Sequence, residues 1–130
     1  MHDRARIRPG AGPRTSTDPR VRLAIEMMSK EDLSRPIRVD KIVARLNISV
    51  SRFRHLFKKE LGLSPGQFVK SLRLERAKQL LEDSFLEVKE VASQVGFTDI
   101  SHFARDYKAA HDETPSQTRL RAKNFVSVRG

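Results

Sequence analysis

Cysteine and tryptophan are absent from the 130-residue chain, tyrosine occurs once, and no apolar run exceeds a few residues. Without cysteine there are neither disulfides nor thiolate metal sites, and a reducing compartment is compatible. Without about 20 consecutive apolar residues no helix can cross a bilayer, and the N-terminus lacks the apolar core of a signal peptide. A soluble, cytoplasmic protein with no membrane partner is expected. Acid is also scarce: 16 Asp plus Glu face 26 Lys plus Arg, a net charge of +10 with a pI near 10.7. The excess is spread along the chain rather than held in one tail, and such a field attracts polyanions, nucleic acid first. No Walker loop or dinucleotide-binding glycine pattern occurs. Asp99, Ser101 and His102 include triad residue types, but neighbours on a helix point in different directions. No enzyme, cofactor or metal site is predicted. The length suits one domain or two very small ones, leaving no room for a large ligand-binding domain as well.

The most informative stretch is SVSRFRHLFKKELG, Ser49 to Gly62. Phe53, Leu56, Phe57 and Leu61 recur at helical spacing, while Arg52, Arg54, His55, Lys58 and Lys59 take the remaining faces. Before it, Val39, Ile42, Val43 and Leu46 follow the i, i+3, i+4, i+7 pattern. Asn47 suits the left-handed backbone of a tight turn, and Ser49 suits the N-cap. Helix, tight turn and helix with a basic outer face make a helix-turn-helix.

Residues 1–18 carry Arg4, Arg6, Arg8 and Arg14 among Pro9, Gly10, Gly12 and Pro13, the composition of a flexible basic arm or interdomain linker. Both a plain tether and a minor-groove arm remain open. Asp18-Pro19 then starts a first helix with Val21, Ala24, Ile25 and Met28 on one stripe. Arg35-Pro36 forces an extended link before the next helix. After Gly62, Ser64-Pro65 opens a long helix to about Asp83, whose polar residues Lys70, Arg73, Arg76 and Lys78 suit a rod between two halves.

The second half repeats the first. Val43 matches Ala92, Asn47 matches Gly96 and Ser49 matches Thr98, a spacing of 49 that makes Thr98 the expected cap. Beyond one inserted residue, Phe53 matches Phe103, Phe57 matches Tyr107, Lys58 matches Lys108 and Pro65 matches Pro115, a spacing of 50. The whole unit is duplicated. The predicted fold is all-α, seven helices forming two helix-turn-helix subdomains joined by a long linker helix. The first unit spans about 19–63, the linker helix about 65–83 and the second unit about 85–119, with 120–130 a frayed tail. A single helix-turn-helix usually dimerises to meet successive major-groove faces about 34 Å apart. Here both units share one chain, joined by a helix of about 18 residues, roughly 27 Å long, so the expected target is double-stranded DNA read at two successive grooves of an asymmetric site.

The spans VDKIVARLNISVSRFRHLFKKELGLSP, LRLERAKQLLED and VKEVASQVGFTDISHFARDYKAAHDETPSQTR resemble the DNA-binding domain of AraC/XylS-family transcription regulators over about Pro19 to Arg119. The resemblance implies that the third and sixth helices enter the major groove. By position it implies a base-reading face of Ser51, Arg52, Arg54 and His55 in the first unit, and of Ile100, Ser101, His102 and Arg105 in the second. It further implies transcription regulation, commonly activation with RNA polymerase contact, and a separate N-terminal effector or dimerisation domain in the full-length protein. TSTDPRVRLAIEMM resembles the junction after an amidotransferase-like domain, although short one-domain members exist. Three features depart from the family pattern: Arg38 where a capping serine is usual, His111-Asp112 where an aromatic and glycine are usual, and Thr118 where an aromatic is usual. His111 and Thr118 are expected to weaken packing of the second unit.

Each of Arg52, Arg54 and Arg105 can donate two bonds to guanine O6 and N7, or bind phosphate instead. Ile100 suits either a thymine methyl or the core. His55 and His102 are donors rather than metal ligands, for which the chain lacks partners. Ser49, Lys58, Lys59, Arg73, Thr98 and Lys108 are the phosphate candidates, which position without specifying sequence. The alternative to specific reading is a basic helical module that coats nucleic acid or docks on an acidic protein.

Overall fold

Burying the apolar stripes requires partners, and the chain supplies them from its own helices. The computed structural model describes the backbone of residues 18–129 and the side chains of residues 18–123. The arm expected over residues 1–18 lies outside the described residues except for Asp18. Seven helices follow: α1 (Pro19–Ser29), α2 (Val39–Leu46), α3 (Val50–Leu61), α4 (Pro65–Asp83), α5 (Val88–Gln94), α6 (Ile100–His111) and α7 (Pro115–Arg129). No strand occurs among the described residues, so the all-α reading holds. Two compact units form: residues 18–32 with Pro36–Leu72, and Leu33–Arg35 with the chain from Arg73 onward. The boundary falls inside α4. Its first half buries Phe68, Val69 and Leu72, and its second half buries Leu74, Ala77 and Leu81. It is therefore a core strut in each unit rather than an exposed rod.

Caps set the helix ends where the sequence provides them. Asp18 accepts from Arg20 N at 2.8 Å to start α1, and Ser64 and Gln67 bond reciprocally at the start of α4, at 2.9 and 3.1 Å. Thr114 and Gln117 repeat that capping box at α7, at 2.7 and 3.1 Å. Arg38 gives α2 no side-chain cap; it grips Asp40 with two bonds of 3.0 and 2.8 Å instead.

In the first unit α1, α2 and α3 pack on one another. Phe53, Phe57 and Phe68 form an aromatic column, with centroids 5.5 and 5.6 Å apart and the second contact edge-on. The second unit keeps the geometry and changes the chemistry. Phe103 and Tyr107 stand 5.7 Å apart, but Thr118 occupies the place of Phe68. Its hydroxyl lies 2.7 Å from Tyr107 Oη and donates to Glu113 Oε2 at 2.5 Å. A threonine has one hydroxyl hydrogen, so the phenol donates to Thr118 Oγ1. Arg121 closes the chain on Glu113 with bonds of 3.3 and 2.6 Å.

His111 packs its ring 4.5 Å from Tyr107 and hydrogen-bonds the Leu74 carbonyl at 3.1 Å. His111 and Thr118, where the family pattern has aromatics, are both absorbed into polar networks, and Thr118 is fully buried. Arg119 donates to the Leu81 and Leu86 carbonyls at 2.8 and 2.6 Å, satisfying an end carbonyl of α4. The tail expected to fray from residue 120 continues as helix to Arg129. Leu120, Arg121, Ala122 and Lys123 are good helix formers, and Arg121 is tied to Glu113.

Burial pushes the Tyr107 phenol up to about 12. The Arg121 guanidinium, with the Thr118 hydroxyl, lowers Glu113 from its ordinary 4.5 to about 2. A carboxyl favoured in its ionised form by folding stabilises fully above its unfolded value, and the benefit is lost as pH falls through the folded one. Glu113→Gln should therefore flatten the fall in urea midpoint between about pH 4.5 and 2 relative to the unaltered protein. In the first unit, Phe57→Ala should cost about 3–5 kcal/mol in chemical denaturation, as expected for a buried ring; an unchanged midpoint would show that Phe57 is not core.

Candidate nucleic-acid interface

The buried faces of α3 and α6 determine what each helix leaves outside. On α3, Phe53, Phe57 and Leu61 are buried, and Ser51, Arg52, Arg54, His55, Lys58 and Lys59 are all exposed. Ser49 caps this helix, its Oγ accepting from Arg52 N at 3.1 Å. The turn before it is set by Asn47 in the left-handed region (φ 59), as the sequence predicts. None of the α3 cations is ion-paired to a described residue. The first predicted reading face is thus one continuous cationic and hydroxylated strip.

On α6, Phe103 and Tyr107 are buried, while Ser101, His102, Arg105 and Lys108 are exposed. Ile100 is 47% exposed, so it does not join the core and stays available to a ligand. The Arg105 side chain is 70% exposed, with its Nε 3.7 Å from Asp106 Oδ1, a spacing too long to hold it.

Two assignments change. Thr98 is exposed but is not the cap: α6 begins at Ile100, and Asp99 Oδ1 accepts from His102 N at 3.1 Å. The inserted residue therefore lies in the turn, Gly96-Phe97-Thr98 against Asn47-Ile48, and Asp99 is the counterpart of Ser49. The spacing of 50 already pairs those two residues, and aspartate caps at least as well as threonine, so the sequence did carry the signal. Arg73, a phosphate candidate, points inward. Its Nη1 donates to the Gly96 carbonyl at 3.2 Å and its Nη2 to the Arg35 carbonyl at 3.1 Å. Both terminal nitrogens are engaged by backbone oxygens and Nε is buried, so this guanidinium is committed first to the protein's own backbone.

Gly96 is itself constrained. Its φ is 91, and a Cβ there would collide with the Leu33 carbonyl oxygen and come within 2.6 Å of Arg73 Nη1. An open groove of about 510 Å³ borders this turn, lined in part by Ser34, Lys89, Ser93, Thr98 and Ile100. Among the described residues, no three ligand-type side chains converge on a metal position, and no helix is long and apolar enough to cross a membrane.

The helix-turn-helix domain family matches residues 42–121. The transcriptional regulator GbdR of Pseudomonas aeruginosa is 32% identical over 104 residues, covering 80% of this chain and 28% of GbdR. The transcriptional regulator MtrA of Neisseria gonorrhoeae is 38% identical over 81 residues, covering 62% of this chain and 27% of MtrA. The chain thus spans under a third of the length of these relatives. Among solved structures, a probable AraC family transcriptional regulator from Rhodopseudomonas palustris superposes with a TM-score of 0.76 at 36% identity, over 81% of this chain and 98% of that one.

Proposed function

Because the chain belongs to the AraC/XylS family of transcriptional regulators, and so is a DNA-binding regulator domain and not an enzyme, we propose that it reads two successive major-groove segments of one asymmetric site. The observation that carries this is the pairing, in one chain, of two exposed polar helices, α3 and α6, each backed by buried aromatic rings. The first offers Ser51, Arg52, Arg54 and His55 to base edges; the second offers Ser101, His102 and Arg105, with Ile100 suited to a thymine methyl. Ser49, Lys58 and Lys59 beside α3, and Thr98 and Lys108 beside α6, serve the phosphates. Arg73 leaves that set.

The domain units on this reading are the two helix-turn-helix bodies sharing α4. Contact with RNA polymerase, action in the cytoplasm and a separate effector-binding or dimerising domain are parts of the same proposal, supported by the family and by relatives of which this chain spans under a third.

Selection of bound duplexes from a random pool tests the reading. One asymmetric site with two boxes about one helical turn apart is expected, preferred over random duplex by about 10³-fold or more. A pool without enrichment would leave a non-specific basic module. On the selected site, Arg105→Ala should cost about 1–3 kcal/mol and relax preference at a single base pair. Equal losses on selected and scrambled duplex would make Arg105 a phosphate contact.

A further inference from the structure

Arg73 is a half-buried cation that base and phosphate contacts leave unexplained. Its two Nη groups bridge the carbonyls of Gly96 and Arg35, while its Nε is buried without a partner. Burial lowers its hold on the proton, a cost that a solvent-facing arginine would not carry. Arg35 precedes Pro36 and is thereby biased toward an extended backbone, and Leu33–Arg35 packs as part of the second unit. Gly96 completes the junction, since even a methyl group there would strike the Leu33 carbonyl and the guanidinium. Three residues beyond Gly96, Asp99 caps α6.

We infer that Arg73 is a positioning residue for base reading by α6: its fork pins the α5–α6 turn to the 33–35 segment and so fixes where Ser101, His102 and Arg105 present their donors. The inference rests on the proposed two-box reading. A planar guanidinium suits the task because its two donors are held in one rigid plane, whereas an ammonium can swivel. Sequence readers need placement to within about 0.5 Å, and that precision comes from the supporting shell rather than from the contacting side chains.

The test uses the full chain on the selected duplex. Ala variants of Arg52 and Arg54 first mark the base pairs read by α3, and Ala variants of His102 and Arg105 mark those read by α6. Arg73→Gln should then lower discrimination at the α6 pairs by about tenfold, the size of one lost directed base contact, and leave the α3 pairs within about twofold. Arg73→Lys, which keeps the charge but not the fork, should resemble Gln rather than the unaltered protein. Amide exchange should quicken at residues 96–99 while residues 103–107 stay protected. Unchanged discrimination at both boxes overturns the inference, as does equal loss at both. Loss accompanied by quickened exchange through 103–107 also overturns it, because that marks general loosening. An unaltered chain with no preference at either box overturns the two-box reading and this inference with it.

Discussion

Four aromatic rings decide which way α3 and α6 face. Phe53 and Phe57 on α3, and Phe103 and Tyr107 on α6, are completely buried. Exposing one such ring costs about 1.5–3 kcal/mol. Any alternative rotation of α3 would have to recover that from surface charge pairs worth at most about 1 kcal/mol each. Core burial therefore settles orientation, and the outward display of Arg52, Arg54 and His55 follows from it. The same reasoning holds for α6, where Ser101, His102 and Arg105 fall outside because Phe103 and Tyr107 must fall inside.

The duplicated unit shows how one geometry survives a change of chemistry. Where the first unit packs Phe57 edge-on to Phe68, the second joins Tyr107 to Thr118 by a hydrogen bond of 2.7 Å. The two differences belong together. A phenol placed against a phenylalanine would leave a buried hydroxyl unsatisfied, at about 1–3 kcal/mol, and a threonine against a phenylalanine would do the same while leaving unfilled volume. Glu113 and Arg121 carry the network to the surface, where the final charges are solvated, and His111 fills space beside the Tyr107 ring. The second core thus adds directed bonds to the ring contact of Phe103 with Tyr107, and Glu113 ties that network to a titratable carboxyl.

Most of what the sequence made legible was local or repeated. Apolar spacing located the helices of the first unit, Asn47 and Ser49 marked the first turn and cap, and the repeat at 49 and then 50 residues predicted the second unit. The single inserted residue was harder to place, because Thr98 and Asp99 are both good caps and the spacing of 49 favours the first while the spacing of 50 favours the second. Arg73 was misread for a different reason. Its partners lie 23 and 38 residues away in sequence, and no local pattern distinguishes an arginine that bridges two carbonyls from one that faces solvent. The bond between Glu113 and Arg121, eight positions apart, is likewise invisible to any local pattern. Duplication is visible in a sequence, whereas the cross-links that tune each copy become visible only in the fold.

The two faces also differ in charge. Arg52, Arg54, Lys58 and Lys59 stand against Glu60 on α3, whereas Arg105 and Lys108 stand among Asp99, Asp106 and Asp112 around α6. Salt-sensitive phosphate anchoring is accordingly expected mainly of the first helix, which leaves the second to depend on how accurately its turn is held. The most direct measurement is hydroxyl-radical footprinting of the chain on its selected duplex, with stoichiometry determined in the same solution. One chain should protect two tracts on one face of the duplex, about 10 base pairs apart. A single protected tract, or two tracts that appear only when two chains are bound, would contradict reading by a tandem pair.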